Sequence, residues 1–154
     1  MGAMVLQKEL LNNGVYKKIQ QGQEAPLSDE DKDEMDENAA LVSEIYHLKN
    51  NAQFTVKGIE AVDGEDTYEV EITPAKGKKS SAYYSVKTGL KVKTASKMET
   101  PRGELVIATF YKDYKSYGGI LLPSVMTIDQ GGFKLEMTFT KIEVNTGLKA
   151  ADVQ

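Results

Sequence analysis

His47 is the single histidine in a chain of 154 residues that contains no cysteine. Nucleophilic triads need a histidine beside the nucleophile, and zinc-peptidase helices of the HExxH type need two histidines. A histidine close to a helix C-terminus commonly serves the last carbonyl groups or the negative end of the helix dipole. We therefore interpret His47 as a structural residue.

Asp29, Asp31 and Asp33 alternate in the way that the first three ligands of a calcium-binding loop do. Such a loop also needs glycine at its sixth position and a bidentate glutamate at its twelfth. These positions hold Glu34 and Ala40. The acidic run is therefore interpreted as the solvated start of a helix, and we predict no metal site and no cofactor.

Carboxylates are crowded between residues 60 and 71, and a glycoside hydrolase works with a pair of them. The acidic residues of this segment are Glu60, Asp63, Glu65, Asp66, Glu69 and Glu71. Glu69 and Glu71 alternate with Val70 and Ile72, which predicts that both glutamates face solvent. Residues 63–66 are typical of a turn. The sequence therefore predicts no catalytic residue and no enzymatic activity.

Tyrosines are the residues of this chain that could stack on bases or sugars. Eight are present, most densely at Tyr83-Tyr84 and in the segment 111–117. The formal net charge of −4 repels a phosphate backbone, and the lysines are scattered rather than gathered in one patch. We interpret the tyrosines as strand residues and predict no nucleic-acid partner.

The length suits one domain, and the composition is that of an ordinary globular protein. Met1-Gly2-Ala3 resembles the remnant of an expression vector, so we expect residues 4–154 to be a single β domain taken from a larger protein. No signal peptide follows. No run approaches the roughly 18 apolar residues of a membrane helix, and no transmembrane segment is predicted.

The first half of the chain predicts a hairpin and one helix. Asn12-Asn13-Gly14 favours a turn between strands near residues 4–11 and 15–21, although the first of these segments also suits a short helix. Residues 28–48 predict a helix, because Ser28 is a typical N-cap with Asp31 three residues later. Its apolar residues fall on the C-terminal half.

From residue 52 onward, apolar residues recur with a period of two between glycine-containing turns. Seven strands are predicted near residues 52–62, 66–73, 81–87, 90–98, 104–113, 120–128 and 133–144. The turns are too short for a crossover helix, so neighbouring strands must pair antiparallel. We expect a mainly β fold with one principal helix, in which an antiparallel meander curls into a half-open barrel around that helix.

Four segments carry a resemblance to a known family. They are Lys57-Gly-Ile-Glu-Ala-Val-Asp-Gly64, Thr67-Tyr-Glu-Val70, Tyr83-Tyr-Ser-Val-Lys-Thr-Gly-Leu90 and Asp113-Tyr-Lys-Ser-Tyr-Gly-Gly-Ile-Leu-Leu-Pro123. The chain resembles the C-terminal accessory domain of insulinase-type zinc peptidases of Bacteroidetes-like bacteria, and more broadly the outer-membrane lipoprotein-sorting, or lipoprotein-carrier-like, proteins. The resemblance covers about residues 4–148. Ser85 stands where the family commonly has an aspartate.

The resemblance implies a half-open barrel in the periplasm or cell envelope, with an apolar concavity that carriers use for acyl chains. Inward residues would line that concavity, or fill it as core. The candidate lining residues are Val70, Ile72, Tyr84, Leu90, Val92, Phe133 and Leu135. In the accessory-domain version of the family, the catalytic zinc site lies in a separate upstream region.

Two functions follow from the resemblance. The preferred one is a noncatalytic accessory or interaction domain of an exported envelope protein, and a zinc peptidase is the candidate for that protein. The partners of such a domain are upstream domains of the same polypeptide or an envelope protein. The alternative is a periplasmic carrier that binds an apolar ligand or a lipoprotein acyl chain in the concave face. A self-contained enzyme is the weakest option, since no nucleophile has a base beside it.

Overall fold

The computed structural model describes residues 7–75, 78–101, 103–144 and 146. The described chain is mainly antiparallel β-structure with two helices, and it divides into two compact units. Of the described residues, those from 7 to 50 belong to the first unit, and those from 51 onward belong to the second. Residues 1–6, which include the suspected vector remnant, lie outside the described residues.

The first unit contains a three-stranded sheet with the order β1-β2-β3. Its strands are β1 (Gln7–Asn12), β2 (Val15–Gln20) and β3 (Gln23–Ala25). The predicted hairpin is confirmed for residues 7–20, and the helical alternative for its first segment is wrong over the described residues. The sequence did not predict β3, because three residues are too short to show a period of two.

Two helices occupy the segment for which one was predicted, α1 (Asp29–Ala39) and α2 (Ser43–Lys49). The predicted start is confirmed, since Ser28 and Asp31 form a complete capping box. The single helix 28–48 is wrong, because the chain is extended at Ala40 and reverses. The reversal lets the Tyr46 hydroxyl donate to the Asp33 carbonyl at 3.2 Å, a contact between helices that no local pattern shows.

His47 contacts both helices. It lies in the last turn of α2 with only 6% of its surface exposed. Its Nε2 atom is 3.2 Å from Oε1 of Glu37 on α1, and the Tyr46 ring meets its imidazole edge to face. The contact with Glu37 on α1 is one that the sequence did not predict.

The second unit contains a seven-stranded sheet. Its strands are β4 (Gln53–Val62), β5 (Glu65–Thr73), β6 (Ser80–Ser85), β7 (Lys91–Thr100), β8 (Gly103–Tyr117), β9 (Ile120–Gln130) and β10 (Phe133–Thr138). The order β10-β9-β8-β7-β6-β5-β4 is a continuous meander, which confirms the predicted number and pairing of strands. The Asp63-Gly64 turn shows why consecutive strands pair antiparallel. Both residues have the positive φ angles, 50° and 83°, that a tight hairpin requires.

Strand β8 continues to Tyr117, four residues beyond its predicted end at 113. Asp113 has a φ angle of 52°, and it and Ser124 of β9 are both missing from the ladder, although the register is the same on either side of them. The strand therefore continues through this irregularity. Strand β10, in contrast, ends at Thr138 instead of 144.

Among the described residues, β4 and β10 are the outer strands of this sheet, and each pairs on one side only. The sheet is therefore an open one and not a closed barrel. The predicted position of the helix within the curled sheet concerns both units and stays a prediction. In the described ranges, neither helix is long and apolar enough to cross a bilayer.

Candidate functional site: an apolar face of the seven-stranded sheet

The register sorts the side chains of the seven strands onto two faces, because directly opposite residues of an antiparallel pair project to the same side. One face carries three rows of cross-strand neighbours. The first row is Phe54, Ile72, Ser80, Ser96, Ile107, Gln130 and Phe133. The second is Val56, Val70, Ala82, Thr94, Thr109, Ile128 and Leu135. The third is Ile59, Tyr68, Tyr84 and Lys91, continued by Tyr111, Met126 and Met137.

We call the side that carries these three rows the apolar face. Its outer strands leave large apolar side chains open to solvent. Val56 and Ile59 on β4 are 67% and 62% exposed, and Phe133 and Leu135 on β10 are 69% and 48% exposed. Neighbouring large apolar side chains that are exposed on one face of a sheet often mark a surface that binds a ligand or a partner. This face is therefore the candidate functional site.

The middle of the apolar face is polar. We call this part, formed on β6, β7 and β8, the central polar stripe. Its members are Ser80, Tyr84, Lys91, Thr94, Ser96, Thr109 and Tyr111. The hydroxyls of Thr94 and Tyr111 lie 3.2 Å apart and share a hydrogen bond, and the Lys91 ammonium lies 5.3 Å from the centre of the Tyr111 ring. The face therefore has two apolar outer parts with hydroxyl groups and a cation between them.

The opposite face carries the acidic side chains of the same strands. Glu69 accepts hydrogen bonds from the hydroxyls of Ser81 at 2.8 Å and Tyr83 at 3.3 Å. The Lys93 ammonium lies 4.3 Å from the centre of the Tyr83 ring. Burial and the nearby carboxylates of Glu69 and Glu60 raise the pKa of Tyr83 above its ordinary value. Tyr83 therefore stays protonated as a hydrogen-bond donor.

Several of the carboxylates between residues 60 and 71 are engaged in separate contacts. Glu65 accepts a short hydrogen bond from the Ser85 hydroxyl, and Glu71 lies 3.6 Å from the Lys79 ammonium. The register confirms that Glu69 and Glu71 lie opposite Val70 and Ile72, but full exposure of the two glutamates is wrong. Both are half-buried, because side chains of β6 and the preceding loop reach across to them.

The aspartates of the calcium-like run serve α1 instead. Asp31 accepts from the Ser28 backbone N–H at 2.9 Å and from the Lys18 ammonium at 2.6 Å. Asp29 pairs with Lys32 one turn along the helix, at 3.2 Å. Among residues 7–75, 78–101 and 103–144, no group of three histidine, aspartate or glutamate side chains is arranged to hold a metal ion.

Five of the seven predicted lining residues belong to the rows of the apolar face, and two belong to none of them. Those on the face are Val70, Ile72, Tyr84, Phe133 and Leu135. Ile72 is buried, whereas the two β10 residues are exposed. Leu90 lies in the connection between β6 and β7, where its carbonyl accepts from the Ser85 N–H. Val92 is skipped by the register at a bulge.

Sequence reasoning missed Val56 and Ile59, which are more exposed than Val70 or Ile72. The reason is a bulge in β4, where the register passes from Val56 to Gly58. The extra residue shifts the alternation by one, so that side chains three positions apart share a face. Lys57-Gly58 in the middle of an apolar run was the available signal, since a glycine inside a strand often marks a bulge.

No family model matches the chain, and no curated protein matches it. A solved structure from Vibrio parahaemolyticus, described as an outer membrane lipoprotein-sorting protein domain, matches 66% of this chain and 46% of its own with a TM-score of 0.52 and 19% identity. A DUF1329 family protein from Desulfovibrio piger matches 83% of this chain and 53% of its own with a TM-score of 0.55 and 21% identity.

The chain thus spans about half of the length of either structure. At these identities the likeness shows the fold alone. It confirms the lipoprotein-carrier-like fold class that the sequence predicted. The link to insulinase-type peptidases receives no support from these comparisons.

Proposed function

We propose that this protein is a noncatalytic binding domain whose apolar face holds an apolar ligand, with the acyl chain of a lipid or lipoprotein as the ligand class. The observation that carries the proposal is the exposure of Val56, Ile59, Phe133 and Leu135 on one face of a single sheet. Covering apolar surface stabilises a complex by about 25 cal/mol per Å². A ligand that covers the exposed side chains of either outer strand would gain that energy.

The sequence resemblance and the fold support the same proposal. The Vibrio parahaemolyticus structure is described as a lipoprotein-sorting domain, and it shares this fold. On that basis we also propose that the protein works in the periplasm or cell envelope.

The accessory role within a larger envelope protein is a separate proposal that rests on the sequence resemblance. The full-length reading frame tests it directly. A peptidase region encoded upstream in the same frame supports an accessory domain. A gene that encodes only an export signal and this chain leaves the carrier function instead.

Ligand binding is tested with the neutral fluorescent probe N-phenyl-1-naphthylamine and the substitution Val56→Glu. The wild type is expected to bind the probe with an increase in fluorescence. The introduced carboxylate places a charge on the apolar face, and we expect about tenfold weaker binding, equivalent to about 1.4 kcal/mol.

Gln53→Glu is the matched control, because Gln53 lies on the same strand, is exposed, and belongs to the opposite face through its pairing with Thr73. Its probe affinity should equal that of the wild type. A wild type that does not bind the probe contradicts the proposal. Equal weakening by both substitutions contradicts the assignment of the apolar face.

A further inference from the structure

Strand β10 forms one edge of the large sheet, and among the described residues it pairs with β9 alone. Every residue of the strand except Met137 is exposed. Where the strand ends, the Phe139 N–H donates to the Ser124 carbonyl at 2.8 Å. At that point the chain continues beside β9 instead of folding back over β10. The outward edge of β10 can therefore accept a further strand.

β10 lacks the features that oppose pairing in the other outer strand. Its register with β9 is unbroken, whereas the register of β4 shifts between Val56 and Gly58. It contains no glycine and no proline. Bulges, prolines and charges are the means by which proteins keep exposed edges from pairing. The two charged residues of β10, Lys134 and Glu136, differ in sign, so they attract a partner strand that carries the matching pattern.

The sequence of β10 is complementary to itself in one antiparallel register. Two identical strands that pair about a two-fold axis through Leu135 form three kinds of opposite pair. These are Leu135 with Leu135, Phe133 with Met137, and Lys134 with Glu136. The first two kinds lie on the apolar face, and the third lies on the opposite face. Cross-strand pairs of apolar residues and of opposite charges both stabilise a sheet.

The neighbouring symmetric registers set like charges against each other. An axis through Lys134 places two lysines opposite each other, and an axis through Glu136 does the same with two glutamates. The Lys134 side chain is 66% exposed, and its ammonium lies 3.5 Å from Oδ2 of Asp129 on β9. In the register about Leu135 it would lie between this aspartate and a glutamate of the second copy. The charges therefore select that register.

We propose that the partner of this edge is a second copy of the chain, paired antiparallel through β10 about Leu135. Lys134 of each copy then faces Glu136 of the other, and the two seven-stranded sheets become one with a continuous apolar face. A single strand on each side buries little surface, so the dimer is weak. This inference goes beyond the proposed function, because the pairing needs no ligand.

A cysteine substitution tests the register, since the chain has no cysteine of its own. In the proposed dimer the two Leu135 Cα atoms lie about 4.5 to 5.5 Å apart, a separation that a disulfide spans. Leu135→Cys should therefore form a covalent dimer under mild oxidation. Phe133→Cys is the matched control, because its two copies would lie more than about 13 Å apart. It should cross-link more slowly, although Phe133 is 69% exposed and Leu135 only 48%.

Charge reversal tests the complementarity by sedimentation equilibrium from micromolar to millimolar concentration. Lys134→Glu and Glu136→Lys should each weaken self-association about tenfold, because each sets like charges against each other. A mixture of the two variants should form a heterodimer at least as tight as the wild-type dimer. Both variants keep a net negative charge, since each changes the net charge of −4 by two, and general attraction does not explain the heterodimer.

Lys57→Glu is the control for charge, because Lys57 is exposed on the other outer strand. It should self-associate as the wild type does, and circular dichroism shows whether every variant keeps the β-structure. A wild type that stays monomeric at millimolar concentration overturns the inference. So does a Phe133→Cys that cross-links as fast as Leu135→Cys, or a mixture that associates no more tightly than its components. Each of these results leaves the binding of N-phenyl-1-naphthylamine, and with it the proposed function, untouched.

Discussion

At the scale of single residues, Asp31 connects strand β2 to the start of helix α1 through hydrogen bonds. It accepts from the Ser28 N–H at 2.9 Å and from the Lys18 ammonium on β2 at 2.6 Å. The hydrogen bonds from Lys18 and Ser28 favour its charged form and hold the pKa of Asp31 well below its ordinary value. The same contact raises the pKa of Lys18.

This arrangement predicts a pH dependence of stability. An aspartate whose pKa is lowered by folding stabilises the folded state fully above its unfolded pKa, about 4, and loses that contribution as the pH falls toward the lowered value. We expect Asp31→Asn to lower the thermal unfolding temperature at neutral pH. The difference from the wild type should shrink as the pH falls below about 4. The helical circular dichroism signal follows the transition.

Asp29→Asn is the control for that experiment, because the Asp29 side chain is 97% exposed and pairs only with Lys32 across one turn of the same helix. Exposed pairs of this kind stabilise proteins very little. A loss from Asp29→Asn as large as that from Asp31→Asn would contradict the assigned role of Asp31.

At the scale of elements, the outer strand β4 is long and exposed, with only Val62 of its ten residues buried. Exposed edges of this kind tend to pair with other chains. Two features oppose such pairing in β4. Gly58 at a φ angle of 151° forms a bulge, and Lys57, which the register skips, places a charge in the middle of the apolar run.

We predict that Lys57→Val increases self-association through this edge, because it joins Val56 and Ile59 into an apolar run with no charge between them. Sedimentation velocity at micromolar concentration should show a larger fraction of faster-sedimenting species than the wild type shows. Lys141→Val is the control, because Lys141 is also exposed but lies outside the strands. Faster sedimentation of both variants, or of neither, would refute a protective role of Lys57.

At the scale of the whole molecule, apolar surface is divided unequally between core and solvent. The buried apolar residues of the described chain are Met35, Val62, Ile72, Ala82 and Tyr83, whereas both outer strands of the large sheet expose large apolar side chains. A protein with this distribution gains stability when a ligand covers the exposed face. Ligand binding and folding are then linked.

This linkage predicts that thermal stability rises with ligand concentration. A ligand that binds only the folded protein stabilises it by about 2.7 kcal/mol when its concentration is 100 times Kd. Differential scanning calorimetry with increasing dodecanoate should show a rising unfolding temperature in the wild type. Val56→Glu should show a smaller rise at the same concentrations, and Gln53→Glu the same rise as the wild type. An unfolding temperature that does not depend on ligand would contradict binding to the folded state.

Much of this fold could be predicted because its signals are local. A turn such as Asp63-Gly64 and the alternation through Val70 and Ile72 identify strands without knowledge of their partners. The division of the helix could not be predicted, because it depends on Tyr46 and His47 reaching back to α1. Of the residues in the candidate site, the sequence predicted Tyr84 and Leu135. It did not predict Val56 and Ile59, because the bulge at Lys57-Gly58 shifts the alternation of β4.

The sequence by itself determined the number of strands in the meander, their antiparallel order and the start of α1, because turn geometry, capping and alternation act over a few residues. The tertiary structure decided which side chains share a face. Lys91 and Lys93 are two residues apart on β7, yet they lie over different rings on opposite faces. The bulge in β7 makes this difference. A bulge is defined by the register between two paired strands, so the sequence of one strand does not show it.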